Sequence, residues 1–347
     1  MSLLKIEDLK VHFPIKKGIL IERTVGHVHA VDGVSLEVEP GQTYGLVGES
    51  GCGKSSLGRA ILRLNPITSG HVYFDGTDLA GLSNEDMRKS RQRLQMVFQD
   101  PMGSLDPRQS VEEILSEGLA AHGLYKDRTK RREMLHQVLD SVGLPTTSLT
   151  RYPHEFSGGQ RQRIGIARAT VLRPDLIICD EPVSALDVSI QAQVLNLLEA
   201  IQEETGVAYI VIAHDLAVVR HIADKVGVMY LGQVVEEADS DALYAEPAHP
   251  YTRSLMSAVP VPDPEVEDER ERILLHGDLP SPANPPSGCR FHTRCPWAQP
   301  KCSEEVPPLR EYTPQHGNGS THRVACHYAE DIASGLLEIQ TDKADVV

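Results

Sequence analysis

Positive charge is what this chain is short of. Its 34 lysines and arginines stand against 49 aspartates and glutamates, a formal net charge of −15. That surplus of acid argues against a broad nucleic-acid-binding surface, which needs clustered cations to meet phosphates. Long apolar runs are missing too. No stretch approaches the ~18 consecutive apolar residues of a membrane span, and the N-terminus lacks a leader pattern. The expectation is a chain that works in the cytoplasm and reaches a membrane only through partners. Cysteine is sparse, six in 347 residues, few for a secreted disulfide scaffold of this size. Four of the six lie beyond residue 288. In a reducing compartment such clustering points to metal rather than disulfides.

What is present is ordinary in bulk, 40% hydrophobic and 24% charged, with length enough for a full α/β core and one smaller domain. The organising stretch is Gly48-Glu49-Ser50-Gly51-Cys52-Gly53-Lys54-Ser55-Ser56, which fits G-x-x-x-x-G-K-[ST]. Tyr44–Val47 reads as a short buried strand before it and Ser56–Arg63 as a helix after it. This strand–Gly loop–helix context is that of a nucleotide phosphate loop. The glycines let backbone N–H groups turn inward, and the helix beginning at Lys54 adds its positive end. Lys54 then brings a mobile charge to the outer phosphates, and the Ser55 hydroxyl suits Mg²⁺.

Around it the pattern alternates. Leu3–Phe13 reads as a strand, 14–23 as a loop, and Val34–Val38 as a second strand closed by Pro40-Gly41. Phe13 is open to two readings, a ring stacked on adenine or an edge-strand core residue. Leu94–Phe98 reads as a strand with Gln99 at its end. From about Val111 to Val142 the periodicity is helical, with a basic cluster at 126–132 that reads as a solvated face. Ser157-Gly158-Gly159-Gln160 opens a helix, a second place for an anion or simply a cap. Leu176-Ile-Ile-Cys179 is a fully apolar strand ending in Asp180-Glu181, two carboxylates costly to place there without work to do. One can hold Mg²⁺; the next can orient and deprotonate water. Ser184-Ala-Leu-Asp187 precedes a helix, and Val207–Ile212 is a strand leading to Ala213-His214.

Taken together these motifs resemble the nucleotide-binding subunit of an ABC transporter. They run from the phosphate loop at 48–55 through a glutamine loop at Gln99 and the signature F-S-G-G-Q at 156–160. The Asp180-Glu181 strand, the S-A-L-D loop at 184–187 and a switch histidine, His214, complete the set. The resemblance implies an α/β fold: a RecA-like core, an antiparallel β subdomain and a helical signature subdomain at about 101–170. It also implies a head-to-tail dimer that sandwiches ATP between the phosphate loop of one subunit and Ser157–Gln160 of the other. Roles follow from the same likeness. Phe13 stacks adenine; residues 48–56 hold phosphates; Ser55, Gln99 and Asp180 handle Mg²⁺. Glu181 is the general base, His214 contacts the γ-phosphate, and Asp187 couples the two sites. A soluble ABC ATPase of DNA repair or translation is the rival, disfavoured by one compact cassette and the acidic balance.

Val226–Glu237 reads as a hairpin turning at Leu231-Gly-Gln233. Past Pro247 the composition shifts, with His249-Pro-Tyr-Thr252 opening a helix to Val259 and a proline-rich acidic linker at 260–269. The division expected is an ATPase domain at 1–259 and an extension at 260–347. The H-P-Y-T segment and the cysteines Cys289, Cys295, Cys302 and Cys326 resemble the tail of ATPase subunits of oligopeptide and dipeptide importers. The segments H-F-P-I-K-K-G and G-E-S-G-C-G-K are closest to the dipeptide-type F partner of such pairs. Four thiolates suit a [4Fe–4S] cluster, with zinc or unmetallated thiols as alternatives. Cys52 and Cys179 read as structural. The importer likeness implies a sister ATPase in a heterodimer, two transmembrane permeases, an extracytoplasmic peptide-binding protein, no nucleic acid, and a place on the cytoplasmic membrane face. Nickel, glutathione or modified peptides are alternative cargoes of related importers.

Overall fold

The computed structural model describes residues 2–18, 22–259, 273–275, 277–313, 321–339 and 344–346. The 260–269 linker read from the sequence lies outside these residues. The chain divides into two compact units.

One unit comprises Met1–Leu4, Val38–Thr43 and Phe74–Ala213. Its sheet runs parallel through Leu94–Val97, Leu176–Asp180 and Ala208–Ala213, with the second of these strands in the middle. Every residue of Leu176–Asp180 is buried, which is why the segment is an unbroken apolar run rather than an alternating one. The helical periodicity that begins at Val111 is two helices, Val111–Ala121 and Arg128–Ser141. Ser110 and Glu113 form a reciprocal capping box on the first, and Asp127 accepts from the Thr129 and Lys130 N–H groups to start the second. The second buries Met134, Leu135, Val138 and Leu139 and leaves residues 126–130 exposed, the solvated basic face.

The other unit comprises Lys5–Glu37, Tyr44–Tyr73 and His214–Val347. It contains an antiparallel ribbon of Leu4–Lys17 and Arg23–Val38, longer on both strands than the sequence pattern suggests. Residues 14–17, read as loop, continue the first strand. Their polar residues find partners along the ribbon instead of in water alone, as in the 2.8 Å Lys16–Glu22 ion pair. The phosphate-loop strand Thr43–Val47 pairs in parallel with Lys225–Tyr230. That strand turns at Leu231-Gly232 into Gln233–Asp239; both turn residues have positive φ, the geometry of a tight hairpin.

The tail adds to this sheet. His322–Val324 pairs antiparallel with Gln233–Asp239, and Arg310–Glu311 pairs with His322–Val324 in turn. The seam is tied by a buried carboxylate. Glu236 accepts from the Ala248 and His249 N–H groups at 2.6 and 2.9 Å, and His322 Nε2 lies 2.7 Å from the same group. The Glu236 and His322 side chains are both fully buried, so His322 is an internal strut. A carboxylate out of water is tolerated because its oxygens are all engaged.

Glu236→Ala should therefore cost roughly 3 kcal/mol or more, since it orphans two buried N–H groups and a histidine. Chemical denaturation of the full chain measures this. Glu236→Gln, which keeps an acceptor, should lose less.

Candidate functional site

The phosphate loop follows its strand directly. Helix Lys54–Ile61 begins without a side-chain cap, its N-cap being Gly53 at φ 108°. A Cβ on Gly53 would lie 1.9 Å from the Ala30 carbonyl oxygen, and one on Gly48 would lie 2.1 Å from that of Met229. Backbone packs against backbone on both sides, so only glycine fits. Inside the loop Lys54 is buried, and its Nζ donates to the Gly48 and Glu49 carbonyls at 2.6 and 3.0 Å. The loop thus holds its own cation among backbone carbonyls, at the positive end of a helix that has no side-chain cap. Cys52 is buried, its thiol pushed up by burial, in keeping with a structural role.

Phe13 sits half-buried in the strand Leu4–Lys17 of the same unit and is not part of the closed core. Next to it in sequence, His12 joins His29 and Asp32 in a trio whose ligating atoms lie within 4.8 Å of one another. Arg290 also pairs with Asp32, so a cation is already supplied there by the protein. His214 is exposed just beyond the strand Ala208–Ala213.

In the other unit, Asp180 is fully buried at the end of its strand. Glu181 follows at φ 47°, a conformation sparsely populated outside glycine and concentrated at working sites. Its N–H donates to the Ile212 carbonyl at 2.9 Å. Gln99 Nε2 donates to Glu181 Oε2 at 2.9 Å. The sequence placed each of these side chains at a strand end; the structure brings Gln99 and Glu181 into contact. Ser157 caps helix Gly158–Thr170 in a capping box with Gln160, and Ser157, Gly158 and Gln160 are exposed. Phe156, where the signature more commonly has leucine, is buried with the Arg151 guanidinium 4.4 Å above its ring. Asp187 is exposed and precedes helix Val188–Thr205. Val188 beside it is 82% exposed.

These motifs and folds are those of an ATP-binding cassette ATPase. A family model described as ABC transporter matches residues 31–184, and one described as Oligopeptide/dipeptide transporter, C-terminal region matches 235–302. The chain is 54% identical to the oligopeptide transport ATP-binding protein AppF of Bacillus subtilis, covering 94% of this chain and 97% of that one. It is 55% identical to the oligopeptide transport ATP-binding protein OppF of Escherichia coli, over 88% and 92% of the two chains. Among solved structures, cbiO1 of Clostridium perfringens matches with TM-score 0.60 at 27% identity, covering 71% of this chain and 91% of that one. The cassette MJ0796, solved as a dimer bound to ADP and Pi, matches with TM-score 0.59 at 27% identity, over 68% and 98%. The chain belongs to the ABC transporter ATP-binding family, in the branch of oligopeptide transport ATP-binding proteins.

The iron–sulfur expectation is corrected. The similar proteins are named for ATP binding and peptide transport, and nothing in them supports a [4Fe–4S] cluster. Cys289, Cys295, Cys302 and Cys326 do line one small cavity, with Phe291 and Trp297 among its other walls. Its volume of 20 Å³ is room for about one water. Among the described residues, no three cysteine sulfurs approach within 4.8 Å of one another, which a tetrahedral zinc site would require. Burial pushes the Cys289 thiol up to about 11 and that of Cys326 to about 12, favouring neutral thiols. The four cysteines thus converge on this cavity as free thiols, Cys295 and Cys302 buried and Cys289 and Cys326 half-buried.

Sequence reasoning missed what His249, Pro250 and Tyr251 do. Neutral His249 Nδ1 accepts from the Tyr251 N–H at 3.1 Å and caps helix Pro250–Ser257, with Pro250 in its first turn. Burial lowers the His249 pKa to about 4. An unfolded histidine titrates near 6.5, so the unfolded state binds the extra proton first as pH falls. Stability should thus be full above about pH 6.5 and fall through pH 4, by up to about 3 kcal/mol. Denaturation curves across that window should show the slope. His249→Asn, which keeps a cap without titrating, should flatten it.

Proposed function

We propose that this chain is the ATP-hydrolysing subunit of an importer that carries peptides across the cytoplasmic membrane. The observation that carries this reading is its similarity to oligopeptide transport ATP-binding proteins over 88–94% of the chain. The intact loop, glutamine, carboxylates, signature and histidine add that the ATPase is complete rather than degenerate. No described helix is long and apolar enough to cross a membrane, so permeases are needed for the crossing itself.

The residue roles are part of the proposal. Lys54 and the backbone of 48–56 hold the ATP phosphates, and Phe13 stacks adenine. Ser55, Gln99 and Asp180 are hard oxygen donors of the kind Mg²⁺ takes. When bound, that ion offsets charge on the phosphates. Glu181 takes a proton from water as its oxygen attacks the γ-phosphorus, releasing ADP and phosphate, and Gln99 steadies the carboxylate. His214 contacts the γ-phosphate. Ser157–Gln160 receive the nucleotide of a sister subunit, and Asp187 with the exposed Val188 belongs to that shared face. The working assembly in this reading is a heterodimer of ATPases on the cytoplasmic face, two permeases and an extracytoplasmic peptide-binding protein. Residues 1–259 are the ATPase portion, with 101–170 as its helical part, and 260–347 the extension. Cargo is chosen by the other subunits.

Glu181→Gln in the assembled transporter should lower ATP turnover by at least ~100-fold, the contribution of a positioned base, while ATP still binds. Uptake of a labelled tripeptide by cells carrying only this variant should fall with it. Undiminished hydrolysis would remove Glu181 as base. Lost hydrolysis with normal uptake would remove the peptide importer.

A further inference from the structure

Glu49, the second residue of the phosphate loop, is held at both ends by residues far away in sequence. Its carboxylate is gripped by the Arg294 guanidinium, NH1 to Oε2 at 2.9 Å and NH2 to Oε1 at 3.1 Å. Its N–H donates to the Tyr251 hydroxyl at 2.7 Å. Its carbonyl accepts from Lys54 Nζ and from the Cys52 N–H. One residue therefore connects the tail to the lysine of the loop.

The tail segment that delivers Arg294 is itself firmly seated. Phe291 is 1% exposed, with edge contacts to Tyr230 at 5.2 Å and tilted contacts to Tyr251 at 5.4 Å between ring centroids. Arg290 reaches the Leu231 carbonyl at 2.5 Å and pairs with Asp32. The Arg294 N–H donates to the Phe291 carbonyl at 3.0 Å. The Arg294 side chain is only 10% exposed, and its partner Glu49 is 29% exposed. A two-point fork from a buried, preorganised guanidinium fixes orientation as well as distance. It also answers an electrostatic problem, since an uncompensated carboxylate within a phosphate-binding loop repels its ligand.

We propose that Arg294 is a positioning residue for ATP, acting through Glu49 to hold the phosphate loop and to cancel the Glu49 charge. The inference rests on the loop being the ATP site. It gives the tail a direct part in nucleotide binding.

The test is ATP affinity of the full chain, measured by titration alongside a thermal-unfolding control, for Arg294→Ala, Arg294→Lys, Glu49→Ala and the Arg294→Ala/Glu49→Ala double variant. Arg294→Ala should weaken ATP binding about tenfold, within the roughly 5–150-fold range of coupling between linked sites, and raise KM more than it lowers kcat. Arg294→Lys, charged but without the fork, should fall between. The double variant should bind no worse than Arg294→Ala, since coupled residues are non-additive. Wild-type affinity in Arg294→Ala, or strictly additive losses, would overturn the proposal. If Arg294→Ala lowers the unfolding midpoint yet its folded fraction binds ATP normally, the role is structural and the proposal fails. Lys54→Ala separates this failure from that of the ATP-site reading. Normal binding there would sink the site itself, whereas lost binding there with an unaffected Arg294→Ala sinks only the present inference.

Discussion

The constraint on which the rest of this molecule depends is the close approach of backbone to backbone at the phosphate loop. Gly48 and Gly53 lie against the carbonyls of Met229 and Ala30, leaving no space for a Cβ. With those two points pinned, the chain must curl between strand and helix, and Lys54 folds over the Gly48 and Glu49 carbonyls. A concave set of N–H groups beside a held cation is what polyphosphate recognition needs, and such a geometry can be built before ligand arrives. The parallel pairing of Thr43–Val47 with Lys225–Tyr230 supplies the rigid platform.

A second level of support comes from the C-terminal segment. Tyr251, Phe291 and Arg294 reach the loop or its platform, while Glu236 and His322 fasten tail strands to the sheet. The H-P-Y run gains a physical meaning for each of its letters: a neutral histidine cap, a proline at the first helical turn, and a tyrosine whose hydroxyl takes the Glu49 N–H. The cysteines that drew attention in the sequence converge on one small cavity of this segment, and the similar proteins give no support for a cluster there.

The proposed hydrolysis draws on groups placed at strand ends, where a buried sheet presents them to ligand. Here the strain at Glu181 and its contact with Gln99 show how such a side chain is aimed. A helix residue would be held by its neighbours one turn away; a residue past a strand end is aimed by its φ and by a partner from another strand.

Local patterns in the chain were sufficient for much of this. The G-x-x-x-x-G-K-S run, the unbroken apolar strand before Asp180-Glu181 and the S-G-G-Q cap are contiguous, so each element could be read directly and a chemistry proposed for it. They determined the fold class and the ATP-binding residues to be tested. Contacts between distant segments were not legible, because an arginine with no motif around it looks like any surface residue, and the H-P-Y-T run does not say what its tyrosine meets. Residues 14–17 read as loop because a strand end rich in lysine and proline lacks alternation, and its pairing with Arg23–Val38 had to outweigh that weak local preference. Four cysteines close in sequence suggested metal, yet only three-dimensional packing sets the distances and free volume on which coordination depends. The sequence by itself determined the core strands, the Gly-rich loop and the helix that follows it, since those follow from short-range sterics and periodicity. The tertiary structure alone decided that Arg294 meets Glu49, that His322 is buried on Glu236, and that four cysteines line one cavity, since each depends on where long-range packing brings the chain together.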